Sequence, residues 1–395
     1  MRIVSRFTTL AAAAVLLTSV PASADDGSQA FSLHLDELVI AIAEVDVDTD
    51  SAKFSEYRDT SQGLLIPRLQ LSGATEDHNR HLDLLLARVG RDDARYLFDY
   101  GYSGKYELSV DYNRIPHRFG NNGRTLFSQT GPGRYEIADP VQGVLQTAIG
   151  TQFAANRAGV NFAFLNNLLQ PFLAAEAPID IGLQRDRTRA DLAVRDMTGL
   201  DWSLSVTHEN RTGNRAYGAA FGFNNVTELA EPIDYDTTGA ELKGEWTGKT
   251  SGVQVGYRYS KFENQISTLI WDNPFRRTDS TDASAYLSPS SSSVGGSSLG
   301  IADLAPENDA GSLFLSGRAR FGGHWNASGA VTYTEMKQDD RLLPFTLNTS
   351  IIGDNPFTGA TFRATDPSAL PATSAGAEAD ALSLYSNLNG RFADR

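Results

Sequence analysis

Few residues in this chain are spaced to do chemistry, and each candidate has a competing structural explanation. Gly296-Ser297-Ser298-Leu299-Gly300 fits the Gly-x-Ser-x-Gly pattern of a hydrolase nucleophile. Such a serine needs a strand before it and a helix after it, so that a sharp turn exposes its hydroxyl. This one lies in a Ser/Gly-rich stretch with neither, and a loop explains it better. Asp46, Asp48 and Asp50 resemble the start of a calcium loop. The EF-hand loop needs Gly at its sixth position and Glu at its twelfth, where Ser51 and Tyr57 stand. An acidic, solvated segment fits better. His78 and His81 flank a turn without a third ligand, and His117 follows Pro116 at a strand end. Turn and loop packing explain all three. No triad, paired carboxylates or phosphate-cradling loop stands out, so no catalytic, cofactor or metal site is expected on this chain. The absence of cysteine excludes covalent c-type haem and cysteine-held iron–sulfur clusters here.

The informative charges are those with a two-residue period. Arg187, Arg189, Asp191 and Arg195 share one parity, while Thr188, Ala190, Leu192 and Val194 share the other. On a strand these are opposite faces. Trp202–Thr207, Ala240–Trp246 and Val253–Tyr259 alternate in the same way, and Tyr96, Phe98, Tyr100 and Tyr102 line one face. A soluble sandwich would bury the apolar faces together, whereas a membrane barrel turns them to lipid around a wet lumen. A charge on the lipid face costs about 2–4 kcal/mol at the midplane. The four charged residues are therefore lumen-facing candidates.

The elements that would position them come in hairpins. Strands are expected at about 52–60, 64–76, 80–91, 94–103 and 105–114. Paired strands follow at 184–197 with 201–212, 237–248 with 253–264, and 311–323 with 325–338, then one at 380–392. The later connections alternate. Residues 198–201, 249–252 and 322–324 are short, while 213–236, 265–310 and 339–379 are long and rich in Ser, Gly, Pro and Asp. Short inner turns and long outer loops are the habit of outer-membrane barrels, and a sandwich gives no reason for the pattern. Residue 52 is then expected on the periplasmic side. A long insert at about 115–183 interrupts the series, with a weak helical pattern from Leu145 to Leu173. A plug, a constriction and a docking surface are all open for it.

Arg2 and Arg6, an apolar run from Leu10 to Leu17 and the small residues Ala22-Ser23-Ala24 form a secretory signal peptide. Cleavage is expected between Ala24 and Asp25. No later stretch approaches the length of a membrane helix. The net charge is −14 and no basic stripe is present, so nucleic acid is not an expected partner.

Several passages carry a resemblance: Lys53–Arg58, Tyr112–Phe119 running into Gly123–Ser128, Asp186–Arg189, Val206–Glu209, Val226–Tyr235 and Ser267–Phe275. In these the chain resembles the MtrB/PioB-type, decahaem-associated outer-membrane barrels. The resemblance implies a bacterial outer-membrane β-barrel that sheathes a periplasmic multihaem c-type cytochrome for extracellular electron transfer. In some systems an external cytochrome docks on the rim. Haem is then expected on the partner, with outer-membrane lipid around the wall. Some family members carry a Cys-x-x-Cys near the mature N-terminus, which this chain lacks, and family members are considerably longer. The expected organisation is a signal peptide at 1–24, a periplasmic lead-in at 25–51, and a partial antiparallel transmembrane barrel of about twelve strands at 52–395. A diffusion porin or ligand-specific channel is the alternative function, and a secreted β-sandwich the weaker third reading.

Overall fold

The computed structural model describes residues 7–8, 31–45, 51–195, 199–220, 226–278, 298–322, 324–344, 346–347, 349, 352–354, 359–367 and 370–391. In chain order its strands begin with β1 (Phe7–Thr8), β2 (Phe31–Ala43), β3 (Gly63–Thr75), β4 (Arg80–Ala87), β5 (Arg95–Tyr102) and β6 (Tyr106–Gly123). An insert follows, made of β7 (Phe127–Gly131), β8 (Arg134–Ile137), α1 (Asp139–Ala155) and α2 (Phe162–Ala175). Next come β9 (Ile179–Arg195), β10 (Leu200–Ala220), β11 (Val226–Thr247), β12 (Ser251–Asn264), β13 (Thr268–Asp272) and β14 (Leu299–Asp303). The series ends with β15 (Asn308–Phe321), β16 (Trp325–Gln338), β17 (Ile352–Asp354), β18 (Thr361–Arg363) and β19 (Ala377–Gly390).

One antiparallel sheet of 13 strands runs β1-β2-β3-β4-β5-β6-β9-β10-β11-β12-β15-β16-β19, always in sequence order. β1 is a two-residue pairing with the end of β2. The other twelve are spanning strands, and the sheet is open between its two edges. Every residue of β19 is exposed. The up-and-down order follows from short turns, because antiparallel neighbours need only a tight connection. Gly104, at φ +73°, makes the turn between β5 and β6, where the Lys105 N–H donates to the Tyr102 carbonyl at 2.9 Å. Among the described residues no helix is long and apolar enough to cross a membrane.

The structure corrects several expectations. Residues 31–43 are not a lead-in but strand β2; bulges between Leu35 and Glu37 and between Val39 and Ala41 break its period and hide it from a parity count. Because that strand comes first, residue 52 lies at the end opposite the short turns. The expected strand at 52–60 is a 3₁₀ turn, Ala52–Ser55, followed by loop. The interval 213–236 is mostly strand: β10 and β11 pair without a break from Leu200↔Trp246 to Ala220↔Val226. Polar residues on both faces there mask the alternation, because this part of the hairpin stands beyond the apolar zone. The insert is narrower than 115–183, since β6 runs on to Gly123 and β9 starts at Ile179. Its helical character is present in α1 and α2. Ala24, Asp25, the Asp46–Asp50 segment, Gly296 and Ser297 lie outside the described residues. Leu299 and Gly300 open β14.

Candidate functional site

Register fixes which side chains share a face, since directly paired residues project the same way. From β5 to β19 one face carries Tyr100, Leu108, Leu192, Leu204, Leu242, Tyr257, Leu313, Tyr333 and Leu382, all in register across neighbouring strands. These residues pack into no core. Leu204 is 40%, Leu313 55% and Leu384 74% exposed. Along β16 the apolar row runs from Trp325 to Tyr333, about 25 Å of extended chain. Its residue count is at the lower end of the roughly 9–11 residues that a tilted transmembrane strand uses. Tyr102, Tyr106, Trp202, Trp246, Phe321 and Trp325 cluster at its short-turn edge, as an interfacial aromatic girdle does. At the other edge the same face turns polar. Arg114 lies 3.2 Å from Asp186, and Tyr333 donates to Asp380 at 2.9 Å.

The opposite face is predominantly polar, with a few apolar residues such as Leu97, Phe262 and Phe314 among its charges. Arg187, Arg189, Asp191 and Arg195 all lie on it, beside Ser205, Thr207 and Glu209 of β10 and Glu107, Ser109, Asp111 and Asn113 of β6. Its charges are knitted into pairs. Arg189 meets Asp191 at 2.6 Å and Arg95 meets Asp111 at 3.0 Å. Arg185 and Arg211 share Glu209 at 2.5 and 3.1 Å. Arg258 meets Glu241 at 2.6 Å, and Arg195 approaches Glu107 at 3.8 Å. Each pair is solvent-accessible and worth about 1 kcal/mol or less. Together they keep a wetted wall ionic without a large net field.

At the long-loop end this face is covered. The tip of the β10–β11 hairpin carries a second structure, a four-stranded sheet in the order β14-β13-β8-β7. β13 and β8 pair in parallel, joining the insert to the loop after β12. Phe127, Tyr135, Ile137, Ile149, Val160, Leu165, Leu269, Trp271, Phe275 and Leu304 form its core with Ala219 and Leu229. Ala219 and Leu229 have the parity of Arg211 and Tyr235, the polar face. Of the residues of opposite parity, those at the tip, Ala216, Gly218, Ala220, Val226 and Glu228, are exposed, while Ala230 and Pro232 below them are buried. The cap therefore sits on the luminal side of the hairpin. Beneath it Arg215 and Glu231 pair across the β10–β11 hairpin: the Arg215 Nε and Nη2 donate to the fully buried Glu231 at 2.7 and 2.9 Å. Tyr135 donates its phenol hydrogen to the Ala230 carbonyl. Burial, with a further push from Glu231, raises that phenol to about 12. Asp272 accepts from the Ile137 N–H at 2.9 Å and meets Arg276 at 3.2 Å. Gly133, at φ +66°, is required where a Cβ would strike the Thr268 carbonyl.

A second cluster pins the 51–62 loop to β6. His117 stacks on Tyr57 at 4.5 Å and lies 3.2 Å from the Glu56 carboxylate. The Arg118 N–H donates to the Glu56 carbonyl at 2.9 Å. Asp59 is set against the Arg91 guanidinium and accepts from the Asp92 N–H at 3.0 Å. Burial opposes ionisation of Asp59, but hydrogen bonds from Ser61 and Asp92 and the charge of Arg91 outweigh it. Its carboxyl falls to about 2. His78 occupies the β3–β4 turn at φ 54°, and the His81 ring lies over Gly101. No cluster among the described residues could hold a metal ion. Sequence reasoning missed Glu231, Arg215, Tyr135 and Asp272. The passages quoted for the resemblance were the available signal: Gly123–Ser128, Val226–Tyr235 and Ser267–Phe275 meet in the cap, and Lys53–Arg58 meets Tyr112–Phe119 at the pinned loop.

Residues 46–395 match the model of the family described as "Putative outer membrane beta-barrel porin, MtrB/PioB". Outer membrane protein MtrB of Shewanella baltica is 25% identical over 257 residues, covering 65% of this chain. The chain spans 32% of that relative's length. Among solved structures, OmpT of Vibrio cholerae aligns over 93% of this chain and 86% of its own, at 9% identity and a TM-score of 0.28. The FrpB iron transporter of Neisseria meningitidis aligns over 84% and 41%, at 10% identity and a TM-score of 0.33. Two-faced strands in register, an aromatic girdle and a match over most of the sequence agree: this chain belongs to the MtrB/PioB family of outer-membrane β-barrels.

Proposed function

We propose that this wall is part of a sheath that holds a periplasmic multihaem c-type cytochrome and so supports electron transfer across the outer membrane. The observation that carries the reading is the charged, predominantly polar face shared in register from β5 to β19, backed by an exposed apolar band. A soluble cytochrome cannot enter hydrocarbon, because unpaired charge and polar surface are costly there, but a wetted ionic wall accepts it. The chain has no cysteine with which to carry c-type haem itself. Its role is then non-catalytic: it supplies a hole, an orientation and a rim. A leader at 1–24, removed before Asp25, would deliver it to the periplasm. Long loops of outer-membrane barrels face outward, which puts the cap at the cell surface and the short turns in the periplasm.

Affinity purification of the complete protein from its own outer membrane tests the reading. The expected result is a stoichiometric haem-staining cytochrome. A wall that never copurifies with haem, yet forms open channels in planar bilayers, overturns it in favour of a diffusion pore.

A further inference from the structure

Between β5 and β12 the ion pairs of the polar face leave one arginine out among the described residues. Every other arginine on the polar face from β5 to β12 lies within ion-pair distance of a carboxylate. Arg187 does not, although it is directly opposite Glu209 in register. Glu209 is already taken, by Arg185 at 2.5 Å and Arg211 at 3.1 Å. On the other side Arg187 is paired in register with Asn113 of β6. Asn113 likewise has no side-chain hydrogen-bond partner among the described residues, because its second neighbour, Arg95, is held by Asp111 at 3.0 Å. A free guanidinium and a free carboxamide thus stand side by side on the luminal wall. Next to them on β9, Asp186 and Thr188 face the other way, at the upper edge of the apolar band.

We infer that Arg187 and Asn113 form a cradle for a carboxylate presented by the guest inside the barrel. This rests on the sheath reading. A guanidinium offers two parallel N–H donors that match the two oxygens of a carboxylate, and the amide adds a third. The neighbouring pairs are self-satisfied, so they confer wettability without drawing in a partner. Lys243, Arg318 and Arg320 on the same face also lack an ion pair among the described residues, but between β5 and β12 only at Arg187 is an unpaired guanidinium in register with an unpaired carboxamide. A multihaem cytochrome supplies carboxylates of two kinds, haem propionates and Asp or Glu side chains, with the same chemistry at the wall. One unshielded contact of this kind fixes rotation and depth of the guest while the rest of the interface stays wet.

The test uses the complete barrel copurified with its cytochrome, washed at rising salt and scored by haem stain. Folding is checked independently by heat-modifiable migration. Arg187→Glu is expected to lower cytochrome retention about tenfold relative to wild type, Arg187→Gln by less, and Arg187→Lys to restore most of it. Asn113→Ala should act in the same direction and more weakly. A midpoint-potential shift of one haem in the Arg187→Gln complex identifies a propionate. Weakened retention with unshifted potentials identifies a side chain. Either upholds the cradle. Folded Arg187→Glu barrels that retain cytochrome as wild type does overturn it and leave the sheath standing. A wild-type barrel without any haem-staining partner overturns both.

Discussion

The wall and the cap solve the burial problem in opposite ways. In the wall, large apolar residues such as Leu384 (74% exposed) point out of the protein and the polar groups line its inner side. In the cap, Leu269 is fully buried and the sheet packs on helices, as in any water-soluble domain. The wall is held by backbone ladders, which lipid enforces because an unpaired N–H or C=O has no water to turn to. The cap is held by side-chain packing and a few buried polar anchors. Point changes in the cap should therefore act through those anchors and stay local. Changes in the wall should depend on which face they strike.

The largest expected effect tests whether the cap is separable. Arg215→Ala leaves the Glu231 carboxylate, fully buried, without the guanidinium that neutralises it. Stranding a buried charge costs about 3–5 kcal/mol. The cap should lose amide protection across 127–175 and become open to protease, while the barrel keeps its heat-modifiable migration. Collapse of the whole fold would show that the two regions are one cooperative unit. A cap still protected would show that Glu231 is neutralised by some other means.

The next contrast separates the two faces of a single strand. Leu204 and Ser205 are adjacent in β10, with Leu204 turned to lipid and Ser205 to the lumen. Leu204→Arg should cost about 2–4 kcal/mol, read by urea unfolding in vesicles. Ser205→Arg should cost a fraction of that. Equal penalties would mean that the faces have been assigned wrongly.

This difference also explains what the sequence disclosed. The wall was legible because lipid on one side and water on the other impose a strict period of two. Arg187, Arg189, Asp191 and Arg195 could be placed together from parity alone. The period failed where its physical cause failed. β2 is bulged at Asp36 and Ile40, and the β10–β11 tip stands beyond the apolar band, so neither alternates cleanly. The cap was illegible for a different reason. The parallel pairing of Ile270 with Arg134 and the Tyr135–Ala230 contact join segments far apart in sequence, and no local pattern encodes such partners. Their only trace was a set of separated passages resembling one family, which carried no indication that they touch.

Acid should act on the pinned loop before it reaches the cap. Asp59 ionises at about 2, below the ordinary carboxylate value. A lowered folded value stabilises above the unfolded one, near 4, and that stability drains away as pH falls from about 4 to about 2. The loss is about 2 kcal/mol, felt as faster amide exchange in residues 51–62 with the cap unchanged. Asp59→Asn should exchange fast at pH 7 already and show no further acid step. A loop equally protected at pH 5 and pH 2 would mean that the carboxylate contacts contribute nothing.

Alkali should do the reverse, and here the expected effect is smallest and most specific. The Tyr135 phenol is buried against the Ala230 carbonyl and ionises at about 12. A raised folded value means that the neutral form is favoured in the cap. Its contribution is whole below the unfolded value near 10 and is lost as pH climbs from about 10 to about 12. Tyr135→Phe keeps the ring among Ile137 and Trp271 but deletes the hydrogen bond, at a net cost of about 1 kcal/mol. At neutral pH the variant's cap should exchange amides severalfold faster than wild type. Between pH 10 and 12 it should show no additional Tyr135-linked loosening, whereas wild type does. The wall around Leu204 should be indifferent to both, since its partners in register, Leu192 and Leu242, carry no phenol. If the wall and the cap loosened together over that alkaline range, the phenol would not be the group responsible, and separate anchoring of the cap would fail with it.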